Sequence, residues 1–140
     1  MKHIVLFAIT SFILLSCNKD NSNNSNVPVQ SVNVTIYPSD PQFATNIGVP
    51  GGWVYLTGGN KGIIVYRKSN TEFMAYDRTC TYDPNTSARL RVLTDNVTIQ
   101  DTICNSKFLL LDGSVIQGPA SANLKTYNCN YDGTVLNISN

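Results

Sequence analysis

The chain has 140 residues, room for one domain and a short leader. Charged residues make up only 14% of it and the formal net charge is +1, which excludes the basic footprint of a nucleic-acid binder and leaves no cationic run to hold anionic lipid. Its seven tyrosines and five phenylalanines, with many valines and threonines, favour strands over helices.

Residues 1–16 have the anatomy of a secretion signal. Lys2 and His3 form a polar start, and an apolar run from Ile4 extends to Leu15. That run is shorter than the roughly 20 apolar residues needed to span a bilayer. It ends Leu14-Leu15-Ser16-Cys17, which resembles the lipobox of bacterial lipoproteins. The resemblance implies cleavage before Cys17 and lipidation of its thiol. Asn18 to Asn26 are nearly all Asn, Ser, Lys and Asp, with no apolar side chains to bury. Residues 17–30 are therefore expected to form a lipidated, flexible tether. Asn18-Lys19-Asp20 is similar to the export signals of surface lipoproteins in Bacteroidetes, which implies an outer-membrane location, on the periplasmic face or the cell surface.

From about Val27 the pattern changes to short strands and tight turns, and residues 31–140 read as one all-β domain. Val32, Val34 and Ile36 alternate with polar residues, the period of a half-buried strand. Trp53-Val54-Tyr55-Leu56, Ile63-Ile64-Val65-Tyr66 and Glu72-Phe73-Met74-Ala75-Tyr76 follow, separated by Gly-rich turns. Asp112-Gly113 and Asp132-Gly133 each lie between two strand-like runs, and Asp-Gly there predicts a hairpin with a type I′ turn. No long segment keeps a helical period. In the strand before the last turn, Tyr127, Cys129 and Tyr131 share one face, where Cys129 is expected to pack as a small hydrophobe.

Phe73 to Tyr82, with Cys80 near its end, resembles the first cluster-binding strand and loop of Rieske iron–sulfur proteins. Cys104-Asn105-Ser106-Lys107-Phe108 resembles their second loop. The run from Asp112 through Gly118-Pro119-Ala120 to Leu124 is similar to their following hairpin, and the stretch from Gly51-Gly52-Trp53 to Tyr66 is similar to Rieske-domain lipoproteins of Bacteroidetes. The resemblance implies an antiparallel β-sandwich with a small loop subdomain carrying the two cysteines. It also implies a [2Fe-2S] cofactor, held by two cysteines on one iron and two histidines on the other.

The departures concern the ligands themselves. Where the family has histidines, this chain has Tyr82 and Lys107, and an ammonium has no lone pair for iron. The only histidine is His3, inside the leader. An all-cysteine cluster needs four thiolates, and beyond Cys17 only Cys80, Cys104 and Cys129 remain. A cluster would need an oxygen ligand from Tyr82 or Asp83, and a zinc site of Cys and His is equally short of donors. Because the family places both cysteines on one iron, the resemblance implies neighbouring sulfurs, which in an oxidising compartment form a Cys80–Cys104 disulfide.

No catalytic set survives inspection. Without histidine beyond His3 there is no Ser-His or Cys-His pair. Asp40, Asp77, Asp83, Asp112 and Asp132 all sit beside turns, where Asp is common. Arg78, Arg89, Arg91 and Lys107 could gather into an anion site, though separate solvated charges explain them more simply. Trp53 could face a glycan, with core packing the simpler account. The expectation is a non-enzymatic, monomeric, membrane-anchored lipoprotein with a degenerate, cluster-free Rieske-like domain, acting in binding or assembly toward an unknown protein or small ligand. An electron-transfer protein with an atypical [2Fe-2S] cluster and a thiol–disulfide redox protein are the alternatives. The second lacks Cys-x-x-Cys spacing.

Overall fold

The computed structural model describes residues 26–140. The expected signal peptide, Cys17 and the tether up to residue 25 lie outside the described residues. The elements are β1 (Asn33–Ile36), α1 (Pro41–Ile47), β2 (Trp53–Leu56), β3 (Ile63–Arg67), β4 (Phe73–Asp77), β5 (Arg91–Val92), β6 (Thr98–Gln100), β7 (Lys107–Leu109), β8 (Val115–Gln117), β9 (Thr126–Tyr131) and β10 (Leu136–Ser139). All strand pairs are antiparallel. They form a six-stranded sheet in the order β1-β10-β9-β4-β3-β2 and a four-stranded sheet in the order β5-β6-β7-β8. The expected all-β architecture, with a small subdomain beside the main sheet, is the one observed.

Side chains alternate across the pleat of a strand, and here the alternation sorts them into two cores. Val54 and Leu56 of β2, Ile63 and Val65 of β3, and Phe73 and Ala75 of β4 face the first core. There they meet Val32 just before β1, Val34 and Ile36 of β1, Leu136 and Ile138 of β10, and Ile47 of α1. Their neighbours Trp53, Tyr55, Ile64, Tyr66, Met74 and Tyr76 face the second core, against Leu90, Ile99, Phe108, Leu110 and Leu124. Strands β3 and β4 are thus covered on both sides, which explains their near-continuous apolar sequence. Tyr127, Cys129 and Tyr131 all point into the first core, as their spacing predicts.

Several local details differ from expectation. Pro38-Ser39-Asp40-Pro41 does not simply end a strand. Pro41 takes the first helical position of α1, where its missing N–H costs nothing. The Asp-Gly turns are also not type I′, because only the glycines have positive φ, Gly113 at 74° and Gly133 at 100°. In each, the Asp side chain accepts a hydrogen bond from an amide two residues on, Asp112 Oδ1 from Ser114 N at 2.9 Å and Asp132 Oδ1 from Thr134 N at 2.8 Å. Such Asx turns close the loop with ordinary φ at the Asp. At the other end of the domain Val27 is buried and Lys125 Nζ donates to Pro28 O at 3.0 Å, so the folded body reaches back to Val27.

Asp77 is not a solvent-facing turn residue. It ends β4 fully buried, its Oδ2 accepting from Tyr127 OH at 2.6 Å and Asn60 N at 2.7 Å, and its Oδ1 from Thr79 Oγ1. Burial and the bond to this carboxylate push the Tyr127 phenol well above its usual range. One buried acid therefore joins β4, β9 and the glycine-rich β2–β3 turn. Tyr127→Phe is expected to destabilise the domain by about 1–3 kcal/mol by stranding an acceptor. Thermal unfolding should show a fall on the order of 5–15 °C, and an unchanged midpoint would remove Asp77 from this role.

Candidate functional site

Beyond Asp77 the chain leaves the sheet and is pinned twice, Arg78 N donating to Gly62 O at 2.9 Å and Leu90 N to Arg78 O at 2.8 Å. This carries Cys80 into the second core, 1% exposed. Thr81 Oγ1 donates to Ala122 O at 2.6 Å and holds the loop against the segment after Pro119.

The second loop joins β6 to β7 and is organised by Asp101. Its Oδ1 accepts from Ile103 N at 2.6 Å and Cys104 N at 2.9 Å. Its backbone bonds Asn105 N at 3.2 Å and Ser106 O at 3.0 Å, and Asn105 takes a positive φ of 60° to complete the turn. The result turns Cys104 Sγ toward Cys80 Sγ, 3.5 Å away. Cys104 Sγ also donates to Ser106 Oγ at 3.1 Å, and Ser106 Oγ accepts from Ala120 N at 2.9 Å. That last bond ties the Gly-Pro-Ala segment, whose Gly118-Pro119 peptide is cis, to the same site.

The family resemblance implies a Cys80–Cys104 disulfide; the structure brings the two together as free thiols, farther apart than the about 2.05 Å of a disulfide. Burial pushes the Cys80 thiol up to about 11; the backbone amides of Tyr82 and Asp83 oppose this and the bond to Cys104 adds to it. Burial alone takes the Cys129 thiol up to about 11. Neither is an activated thiolate of the kind that drives rapid exchange.

A cavity of about 60 Å³ adjoins the pair, lined by Cys80, Tyr82, Asp83, Thr86, Asp101, Ile103 and Cys104. Tyr82 is 56% exposed at this rim. Lys107 is not there. It lies in β7 opposite Gln117, and its charge acts on Asp95. A Rieske cluster therefore does not fit: the two sulfurs are placed for one iron, but no histidine exists in residues 26–140 and one of the two replacement positions faces elsewhere.

Asp101 was missed in the sequence. Its carboxylate oxygen and the two sulfurs all lie within 4.8 Å of one another, and the spacing Asp101-Thr102-Ile103-Cys104 is the Asx signal that could have revealed it. The suggested arginine cluster separates. Arg78 and Arg89 line another cavity, while Arg91 is an exposed residue of β5. Trp53 packs with Tyr55 at 4.9 Å between ring centres and donates to Asn96 Oδ1 at 2.9 Å.

Among solved structures, the chain is similar to the ferredoxin of carbazole 1,9a-dioxygenase from Nocardioides aromaticivorans IC177, at 15% identity over 80% of this chain and 96% of that one, with a TM-score of 0.48. It is also similar to a chain of the complex of reduced oxygenase and oxidized ferredoxin in carbazole 1,9a-dioxygenase, at 19% identity over 77% of this chain and 93% of that one, with a TM-score of 0.49. At these identities and scores neither likeness assigns the chain to a family. No family model and no curated protein matches it.

The raised Cys129 thiol has a pH consequence. In the unfolded chain it ionises near 8.5, in the fold only near 11. Between those values the folded state holds the extra proton, so stability present below about pH 8.5 is lost as pH rises to about 11. The expected loss is on the order of 3 kcal/mol, read as steeper alkaline destabilisation in the wild type than in Cys129→Ala. Equal slopes would contradict it.

Proposed function

We propose that this chain is an exported, lipid-anchored bacterial domain of Rieske-like descent that works without an iron–sulfur cluster and acts in binding or assembly. In this reading a Cys80–Cys104 disulfide takes the place of the cluster as the clamp between the two loops. The observation that carries it is the pair of sulfurs 3.5 Å apart in a domain without histidine. The residues preceding the domain support export, and an oxidising envelope would join such neighbours. Bridging positions 24 apart in sequence constrains the unfolded chain by roughly 3 kcal/mol in the entropy model. The high thiol pKa of Cys80 argues for a structural bridge over a rapidly exchanging one.

A second reading retains a metal, and one observation favours it: Cys80, Cys104 and Asp101 offer two sulfurs and a carboxylate oxygen from one small region. Asp101 Oδ1 already serves two amides, which favours the structural role. Elemental analysis of protein purified without chelators separates the two, since the disulfide reading requires sub-stoichiometric metal.

Reductant is expected to lower the melting temperature of exported wild type by on the order of 10 °C or more. Cys80→Ser and Cys104→Ser should melt low with or without it. A wild type indifferent to reductant would defeat the clamp. Cys17→Ser is expected to abolish incorporation of a labelled fatty acid into the exported protein; continued labelling would defeat the lipid anchor.

A further inference from the structure

A second cavity lies away from the cysteines, beside the glycine-rich turn between β2 and β3. It encloses about 370 Å³, and its walls include Tyr55, Asn60, Lys61, Arg78 and Arg89, with no acidic side chain among them. Among the described residues these three cations have no salt-bridge partner, the ion pair there being Lys68–Glu72. The nearby Asp77 carboxylate is already committed to Tyr127, Asn60 N and Thr79.

Lys61 Nζ is the anomaly. It is buried and has no hydrogen-bond partner among the described residues, although buried donors are nearly always paired. Arg78 is held rigidly: its Nε donates to Leu90 O at 2.9 Å, and its guanidinium lies 3.8 Å over the Tyr55 ring. Tyr55 OH is in turn fixed by accepting from Val92 N at 2.8 Å. Gly62 gives the Arg78 side chain room, since a Cβ there would fall 3.2 Å from Arg78 Cδ. The charge of Arg89 acts on Arg78 as well. Like charges gathered around a concave surface repel one another unless something negative lies between them.

We propose that this cavity binds a phosphate group, with Lys61 Nζ and the guanidinium groups of Arg78 and Arg89 as its donors. Oxyanions satisfy ammonium and guanidinium groups together, and charge-assisted bonds of this kind are the strong ones. The volume is at the lower end for small-molecule sites, which suits a phosphate carried on a small organic group.

Calorimetric titration of the full chain with inorganic phosphate, at ionic strength held constant with chloride, tests this. Saturable binding by the wild type is expected, weakened at least tenfold in Lys61→Met and in Arg89→Gln. Both variants should fold, and Lys61→Met should melt no lower than wild type in phosphate-free buffer, because it removes donors that lack a partner. Absence of saturable binding, or equal affinity in wild type and variants, overturns the site. Acetate binding as tightly as phosphate also overturns it, since a carboxylate would then suffice.

Discussion

Everything in this domain depends on β3 and β4 being buried on both faces. Ile63, Val65, Phe73 and Ala75 hold the curled sheet around the first core, while Ile64, Tyr66, Met74 and Tyr76 anchor the small sheet on the other side. A strand covered twice has little freedom to slip, because a one-residue shift would send every side chain to the wrong core. The loop leaving β4 is therefore delivered in a fixed place, and Cys80 arrives buried among residues of the second sheet. The Asp77 carboxylate secures the same corner by tying β4 to β9 and to the turn before β3.

The cysteine pair is assembled by different means. Cys80 is positioned by core packing. Cys104 is positioned by hydrogen bonds within its own loop, chiefly those to Asp101, and by Ser106, which links the loop to Ala120. Two elements of different origin meet at 3.5 Å. Such an arrangement suits a clamp, since closing it would join the loop after β4 to the loop between β6 and β7. It does not suit fast thiol exchange, because burial holds the Cys80 thiol in its protonated form at neutral pH.

Much of this was legible in the residues. The alternation in β1, the apolar runs of β2, β3 and β4, and the shared face of Tyr127, Cys129 and Tyr131 all correspond to observed strands and cores. Helix α1 was not, because seven residues opening on a proline give too short a window for a helical period to emerge. Strands β5 and β6, at two and three residues, are likewise too brief for an alternation. The roles of Asp77 and Lys61 could not be read because they depend on which distant groups surround them: the donors that reach one carboxylate, and the absence of any acceptor near one ammonium. The hairpins at Asp112 and Asp132 were visible, but the turn type was set by the Asp side chain bonding ahead, which the Asp-Gly pair alone does not reveal.

The proposed function stands on Cys80 and Cys104 being joined to each other and holding no cluster. An intact mass of the exported protein, taken under native conditions without reductant, decides this. The expected mass lies two hydrogens below that of the reduced chain with its lipid, with the bridge mapping to Cys80 and Cys104 after proteolysis. A mass raised by two irons and two sulfides would contradict it and restore electron transfer, and a fully reduced, metal-free mass would contradict the clamp.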